Sequence, residues 1–243
     1  MEERTIESYI TRPSPIPREA LPKHIAFIMD GNGRWAKSRG LPREMGHKEG
    51  AKVFRRLVEY CGDIGIPTVT VYAFSTENWR RPAAEVNAIL ALLQVYIDDA
   101  FRTFREKGIR ILFLGDLSPF PPKLRSEMER LTRESAGNPR TLCIAVNYGG
   151  RDEILHAVNR LIERGQRVER ESEISDMLYT AGLPDPDLIL RTAGEKRLSN
   201  FLLWQAAYAE LLFCDTLWPD MTEEAVDDAL REYARRTRRF GGV

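Results

Sequence analysis

Six short apolar runs alternate along the chain with stretches whose apolar residues recur every three to four positions, and this alternation most restricts the fold. The runs are His24 to Met29, Thr68 to Phe74, Ile109 to Leu114, Thr141 to Val146, Leu188 to Leu190 and Leu211 to Phe213. Near-continuous apolarity is the mark of strands buried on both faces. Between them Gly46 to Ile64, Glu85 to Lys107, Pro121 to Ala136, Arg151 to Arg164, Glu171 to Ala181 and Glu223 to Arg235 read as amphipathic helices. The pattern predicts an α/β fold: a single domain with a mostly parallel six-stranded sheet flanked by helices. Residues 1–21, punctuated by Pro13, Pro15 and Pro17, read as a loose leader and not as a signal peptide, leaving 22–243 as the folded domain.

Polar clusters follow four of the six runs: Asp30-Gly-Asn-Gly-Arg34, Ser75-Thr-Glu-Asn-Trp-Arg-Arg81, Asn147-Tyr-Gly-Gly150 and Arg191-Thr-Ala-Gly-Glu195. Ligands of open α/β sheets bind beyond the carboxyl ends of the strands, so the shared placement points to one site. Each cluster alone also fits a plain turn. Asp30 can hold a hard divalent cation, Gly31 and Gly33 let backbone N–H groups approach phosphate oxygens, and Arg34 offers a planar fork of donors. Arg43 and His47 follow within reach of the same loop. Together these residues suit a metal-bound diphosphate. Arg191, Arg197 and Ser199 outline a second anion pocket, and two such pockets imply two phosphorylated substrates. Gly31-x-Gly33-x-x-Ala36 also has the glycine spacing of a dinucleotide fingerprint, but Asp30 would repel a pyrophosphate that brought no cation, and Gly40 and Pro42 interrupt the long helix that should follow.

Lys+Arg and Asp+Glu balance at 36 each, so no net field draws in nucleic acid. Within that balance 29 of the 36 basic residues are arginine, the better bidentate partner for phosphate. Cys61, Cys143 and Cys214 are widely spaced among apolar neighbours, which fits reduced thiols in a cytoplasmic protein and neither a zinc site nor a disulfide framework. The longest apolar stretch, Phe201 to Phe213, is broken by Gln205 and Glu210 and is too short to span a bilayer, though peripheral membrane contact stays open.

The Glu85 to Lys107 helix carries Val86, Ile89, Leu90, Leu93, Ile97, Ala100, Phe101 and Phe104 on one broad face, with Leu92 and Tyr96 beside it. That stripe is wider than packing on a sheet requires. It fits either core plus a dimer contact or the wall of an apolar tunnel for a long hydrocarbon. Trp35 and Trp79 flank the polar clusters, where an indole could guard an apolar substrate or simply pack the rim.

The chain resembles the cis-prenyltransferases, the family of the bacterial undecaprenyl diphosphate synthases, from about Pro22 to its end. The resemblance rests on HIAFIMDGNGRWAK from His24, GHKEGAK from Gly46, YAFSTENWRRP from Tyr72, NYGGRDEI from Asn147 and RTAGEKRLSNFLLWQAAYAEL from Arg191. It implies an isoprenyl transferase that elongates an allylic diphosphate such as farnesyl diphosphate with isopentenyl diphosphate, each addition making a cis double bond. It implies Mg2+, a homodimer, a hydrophobic tunnel and a long polyprenyl diphosphate of the cell-wall carrier type. Asp30 is implied as catalytic carboxylate and metal ligand, with Glu210 as the second metal ligand. Gly31, Asn32, Gly33, Arg34, Trp35, Arg43 and His47 are implied for the allylic diphosphate. Ser75, Thr76, Glu77, Asn78, Trp79 and Arg81 are implied at the reacting centre, with Asn78 catalytic, and Arg191, Arg197, Leu198 and Ser199 for isopentenyl diphosphate. A neutral amide is a poor base, so Asn78 is expected to orient or relay, with a diphosphate oxygen or Asp30 taking the proton. Arg239-Phe240-Gly241 resembles a segment that covers the partner's site.

Two positions depart from the family pattern. Ala193 stands where Ser or Gly is usual, and Lys196 where a histidine or neutral polar residue is common; a protonated lysine cannot ligate Mg2+ and would contact diphosphate instead. The aspartate-rich signature of the trans-prenyl synthases is missing, because Asp98-Asp99 and Asp227-Asp228 each lead to an arginine where its last aspartate should stand. A short-chain or non-head-to-tail prenyl synthase, or a non-catalytic subunit of a heteromeric prenyltransferase, are the alternatives on the same fold.

Overall fold

The computed structural model describes residues 5–236. One sheet holds β1 (His24–Ile28), β2 (Thr68–Ser75), β3 (Ile109–Leu114), β4 (Arg140–Tyr148), β5 (Leu188–Arg191) and β6 (Glu210–Phe213), in the order β3-β4-β2-β1-β5-β6 with every pairing parallel. Its helices are α1 (Asn32–Ser38), α2 (Arg43–Asp63), α3 (Ala83–Thr103), α4 (Pro122–Ser135), α5 (Gly150–Glu163), α6 (Glu171–Ser175) and α7 (Glu223–Arg235). The α/β architecture expected from the alternation is the one observed.

The two-residue side-chain period of a strand divides β1 between two cores. Ile25 and Phe27 join a large cluster with Leu57 of α2, Ile97 of α3, Met128 of α4, Trp218 and Leu230 of α7. Ala26 and Ile28 face a smaller cluster with Cys143, Tyr148, Ile189 and Phe201. Every residue of β1 and β5 is buried, which explains why their sequences carry no alternation.

The chain order reverses at β1, which has β2 on one side and β5 on the other. A sheet of this kind opens a crevice beyond its strand ends at such a point. Ile28 pairs with Arg191, so the residue ending β5 lies level with the loop that leaves β1.

Two expectations change. The helix expected over Glu171 to Ala181 ends at Ser175, because the chain turns to bury Leu178 and Thr180, and the Tyr179 N–H donates to buried Glu153. The leader is anchored along 5–21: the N–H groups of Thr11 and Arg12 donate to the Asp63 carbonyl, and Ile16 and Leu21 pack on the larger core.

Candidate active site

Gly31 adopts φ +104°, turning the chain sharply from β1 into α1. A side chain there would be strained, and its Cβ would fall 2.9 Å from Leu217. The turn is seated on Thr192: the Asp30 N–H donates to Thr192 Oγ1 at 2.9 Å, and that hydroxyl donates to the Asp30 carbonyl at 2.7 Å. The Asp30 carboxylate accepts from Gly31 N–H at 2.7 Å and from Arg191 Nη2 at 2.9 Å, with Arg34 Nη2 4.0 Å away. Arg191 is buried and also donates through Nη1 to Ser199 Oγ at 2.7 Å.

Asp30 and Arg81 belong to two polar cavities at once. One, of about 320 Å3, is lined by Asp30, Gly31, Asn32, Gly33, Arg34, Lys37, Arg43, His47 and Arg81. The other, of about 510 Å3, is lined by Ile28, Asp30, Tyr72, Ser75, Glu77, Asn78, Arg81, Arg191, Ser199 and Asn200. The first predicted group thus lines one space, and Arg191 and Ser199 of the second line the adjoining one, with a carboxylate between them. An apolar cavity of about 110 Å3 continues from the first past Asn32 and His47, and a second of about 70 Å3 lies beyond it. Leu92, Leu93 and Tyr96 of α3 line the nearer one, so the broad stripe of that helix faces an interior space as well as core.

Glu85, in the first turn of α3, organises the first cavity and was overlooked in the sequence. Its Oε1 lies 3.1 Å from Arg43 Nε, 2.9 Å from Arg81 Nη1 and 3.5 Å from His47 Nε2. The carboxylate is almost fully buried, so the three basic side chains are pinned by a charge that water barely reaches. The His47 distance is longer than a good hydrogen bond, which leaves its Nε2 available to another acceptor. Burial lowers the His47 pKa below its ordinary value, with the Glu85 charge opposing that shift. The available signal was the i,i+4 spacing of Arg81 and Glu85 at a helix start.

In the second cavity the Ser75 N–H donates to Asn78 Oδ1 at 3.2 Å, so Asn78 closes the turn (Thr76–Arg80) after β2. Asn200, also missed, has φ +66°. It accepts the Gly150 N–H at its carbonyl and the Arg151 N–H at Oδ1, and its Nδ2 donates to Glu77 at 3.2 Å. It therefore ties the polar clusters after β2 and β4 to the loop that follows β5. Tyr72 stacks on Phe201 with ring centroids 4.5 Å apart, and burial raises its phenol pKa.

Several expected site residues lie elsewhere. Trp35 donates Nε1–H to Asp220 and lies under Arg39, away from both cavities. Trp79 donates Nε1–H to Asn147 and packs edge-on to Phe74, so it braces the turn. Thr76 donates to Asp152. Arg197 contributes its carbonyl to Arg191 while its guanidinium pairs with Glu195 at the surface, and Leu198 packs on the smaller core. Glu210 is not brought to Asp30: it opens β6 opposite Leu188, three residues before the level of Arg191, and its carboxylate meets Arg236 at 2.9 Å. Sequence proximity to the Arg191 loop concealed that β6 starts at the far end of the sheet. Lys196 is exposed, and Arg239, Phe240 and Gly241 lie outside the described residues.

No cluster of three or more His, Cys, Asp or Glu side chains suited to a metal occurs among the described residues. Magnesium is commonly held by one or two carboxylates plus substrate phosphates, and Asp30, about one-third exposed between two cation-lined cavities, fits that donor set. No described helix is long and apolar enough to cross a membrane.

The family model described as "Putative undecaprenyl diphosphate synthase" matches residues 28–241. An isoprenyl transferase of Fusobacterium nucleatum is 51% identical over 92% of this chain and 97% of its own length. One from Aquifex aeolicus is 48% identical with the same coverage of both chains. Among solved structures, lavandulyl diphosphate synthase from Lavandula x intermedia, in complex with dimethylallyl diphosphate, superposes with a TM-score of 0.87 at 33% identity, covering 92% of this chain and 99% of that one. A probable undecaprenyl diphosphate synthase from Campylobacter jejuni gives 0.77 at 35% identity, covering 91% and 99%.

Proposed function

This chain belongs to the undecaprenyl diphosphate synthase family of isoprenyl transferases, and on that premise we propose that it condenses isopentenyl diphosphate with an allylic diphosphate, farnesyl diphosphate being the expected primer, to build a long cis-polyprenyl diphosphate. The observation that carries this reading is the pair of cation-lined cavities meeting at Asp30, with an apolar space leading away from one of them.

In this reading Arg34, Arg43 and His47, with the first turn of α1, bind the allylic diphosphate. Arg191 and Ser199 hold isopentenyl diphosphate. As the allylic C–O bond breaks, its electron pair leaves with the diphosphate, and the basic side chains balance the charge that develops there. The terminal methylene carbon of isopentenyl diphosphate forms the new C–C bond, and a proton leaves its C2 as the new double bond closes. A diphosphate oxygen or Asp30 takes that proton, with Asn78 orienting the reacting groups. Asp30 would hold Mg2+, which supplies neutralisation of leaving-group charge when bound. Glu210, remote from Asp30 within the chain, is not part of that set. In this reading the product is a carrier-lipid precursor for cell-wall assembly, made by a cytoplasmic homodimer that touches the membrane peripherally.

A second reading, a short-chain or non-head-to-tail prenyl diphosphate synthase, is favoured by the likeness to lavandulyl diphosphate synthase in complex with dimethylallyl diphosphate. The apolar spaces beyond His47 weigh against it, since a short chain would leave them unfilled. Incubation of the purified chain and Mg2+ with labelled isopentenyl diphosphate plus either farnesyl or dimethylallyl diphosphate, and with labelled dimethylallyl diphosphate alone, each with and without EDTA, tests both. Metal-dependent long products support elongation. Products of a single coupling support the second reading, and no incorporation with any primer overturns both in favour of a silent subunit.

A further inference from the structure

Ser199 and Asn200 line the second cavity, and both hold left-handed backbone conformations, at φ +50° and +66°. Asparagine adopts that conformation readily; serine does not, so Ser199 stays there only because its surroundings fix it. On one side of the pair Phe201 is fully buried and stacked on Tyr72. Asn200 itself is held from three directions. Its carbonyl accepts the Gly150 N–H at 2.6 Å, its Oδ1 accepts the Arg151 N–H at 2.9 Å, and its Nδ2 donates to Glu77 Oε1 at 3.2 Å. The fit is close: a Cβ on Gly149 would lie 2.7 Å from Asn200 Nδ2. A side-chain amide supplies the acceptor for Arg151 and the donor for Glu77 at once, which no carboxylate can do. Beside it, Ser199 Oγ accepts from Arg191 Nη1 at 2.7 Å, and the same Nη1 donates to the Arg197 carbonyl. The loop that Asn200 fastens therefore aims the buried guanidinium that meets Asp30.

We propose that Asn200 is a positioning residue for isopentenyl diphosphate, tying the loop after β5 to α5 and to the turn after β2 so that the Ser199 hydroxyl and the Arg191 fork stand ready for a diphosphate in the second cavity. The proposal rests on the elongation reading above, which assigns that cavity to isopentenyl diphosphate. Because its amide is engaged by Arg151 and Glu77, Asn200 acts through Ser199 and Arg191. Its loss should weaken the binding of one substrate more than it slows turnover. Asn200→Asp keeps the left-handed tolerance and the acceptor for Arg151, but it removes the N–H that meets Glu77 and sets two carboxylates against each other.

The test compares Asn200→Asp, Asn200→Gly, Glu77→Gln and the double variant Asn200→Asp/Glu77→Gln with the unaltered full chain. Calorimetry with Mg2+ gives affinities for isopentenyl diphosphate and for an unreactive thiolo analogue of farnesyl diphosphate, and steady-state rates give both Michaelis constants. Asn200→Asp should bind isopentenyl diphosphate about tenfold more weakly, the scale of a lost hydrogen bond to a charged group, with a matching rise in its Michaelis constant. The analogue's affinity and the allylic Michaelis constant should stay nearly unchanged. Glu77→Gln in the Asn200→Asp background returns an N–H donor across the pair, so the double variant should regain affinity and the two changes should be non-additive. Asn200→Gly, which keeps the left-handed backbone, carries the test where the aspartate variant fails to fold, and it should show the same selective loss. Equal losses for both ligands, unchanged affinities, or additive effects in the double variant overturn the positioning role. A selective loss of isopentenyl diphosphate binding with no product from any primer upholds that role and overturns the elongation reading. Long products with unchanged isopentenyl diphosphate affinity in the variants do the reverse, and an unaltered chain that does not bind isopentenyl diphosphate overturns both.

Discussion

Arg191, at the end of β5, donates through Nη2 to the Asp30 carboxylate just beyond β1, with 2.9 Å between Nη2 and Oδ2. The contact joins two cavities whose cationic walls come from segments 161 residues apart, and it holds the proposed metal ligand against a buried guanidinium. Asp30→Asn keeps the side chain's shape and removes its charge. Turnover should fall by about 100- to 1,000-fold, the usual cost of losing one preorganised electrostatic group. Steady-state rates with saturating substrates check this, and a variant within tenfold of the parent would remove Asp30 from the centre of the mechanism.

Glu85→Gln tests whether the diphosphate cavity is organised from beneath. Two guanidiniums and the His47 imidazole converge on one carboxylate oxygen; without its charge Arg43 and Arg81 repel one another, and all three side chains lose their common anchor. The Michaelis constant for the allylic substrate should rise about tenfold, equivalent to about 1.4 kcal/mol. That for isopentenyl diphosphate should change much less. Equal increases would mean that Glu85 serves both cavities alike.

Gly46→Ala probes the close approach of α2 to the Asp30 loop. A Cβ at Gly46 would lie 2.0 Å from the Asn32 carbonyl oxygen, so the backbone of α1 must move. Overpacking of this sort costs about 1–3 kcal/mol, and a chain of this size loses about 2–4 °C of melting temperature per kcal/mol. Allylic substrate binding should weaken in parallel. A melting temperature equal to that of the parent would show that α1 yields without strain.

Acid should destabilise the fold through its buried imidazoles. His24 is buried, with Nδ1 2.8 Å from the Pro184 carbonyl and Nε2 2.7 Å from Thr70, and desolvation lowers its pKa below 6.5; the same holds for His47. In the unfolded chain both protonate near the ordinary value, so below about pH 6.5 the unfolded state binds more protons and stability falls, by at most about 1.4 kcal/mol per pH unit for each group. Urea midpoints measured between pH 7.5 and 5.5 should therefore decrease with acid, with a shallower slope in His24→Gln. A flat profile would show that neither imidazole is held neutral by folding.

The alternation of apolar runs with helical spacing gave the sheet, because strands buried on both faces cannot hide their apolarity and the intervening helices must bury theirs against them. The four polar clusters were legible as one site for the same reason: each follows a strand of a sheet whose strands run in parallel. Less legible was which side chain faces which space. Trp35 and Arg197 sit inside site motifs yet turn to Asp220 and Glu195, contacts made across a bend that no linear spacing encodes. Glu85 and Asn200 went unnoticed because each acts on residues distant in the chain or around a turn.

Local chemistry was thus fixed by the sequence: a carboxylate between glycines after a buried run, arginines after two other runs, and an apolar helix between them. Tertiary structure alone decided that Asp30 would meet Arg191, that Glu210 would not, and that Asn200 would reach Gly150, Arg151 and Glu77. The physical reason is that strand order and helix packing set long-range distances. A parallel sheet puts the two ends of a strand in different places, and only the assembled sheet shows at which end a residue such as Glu210 emerges.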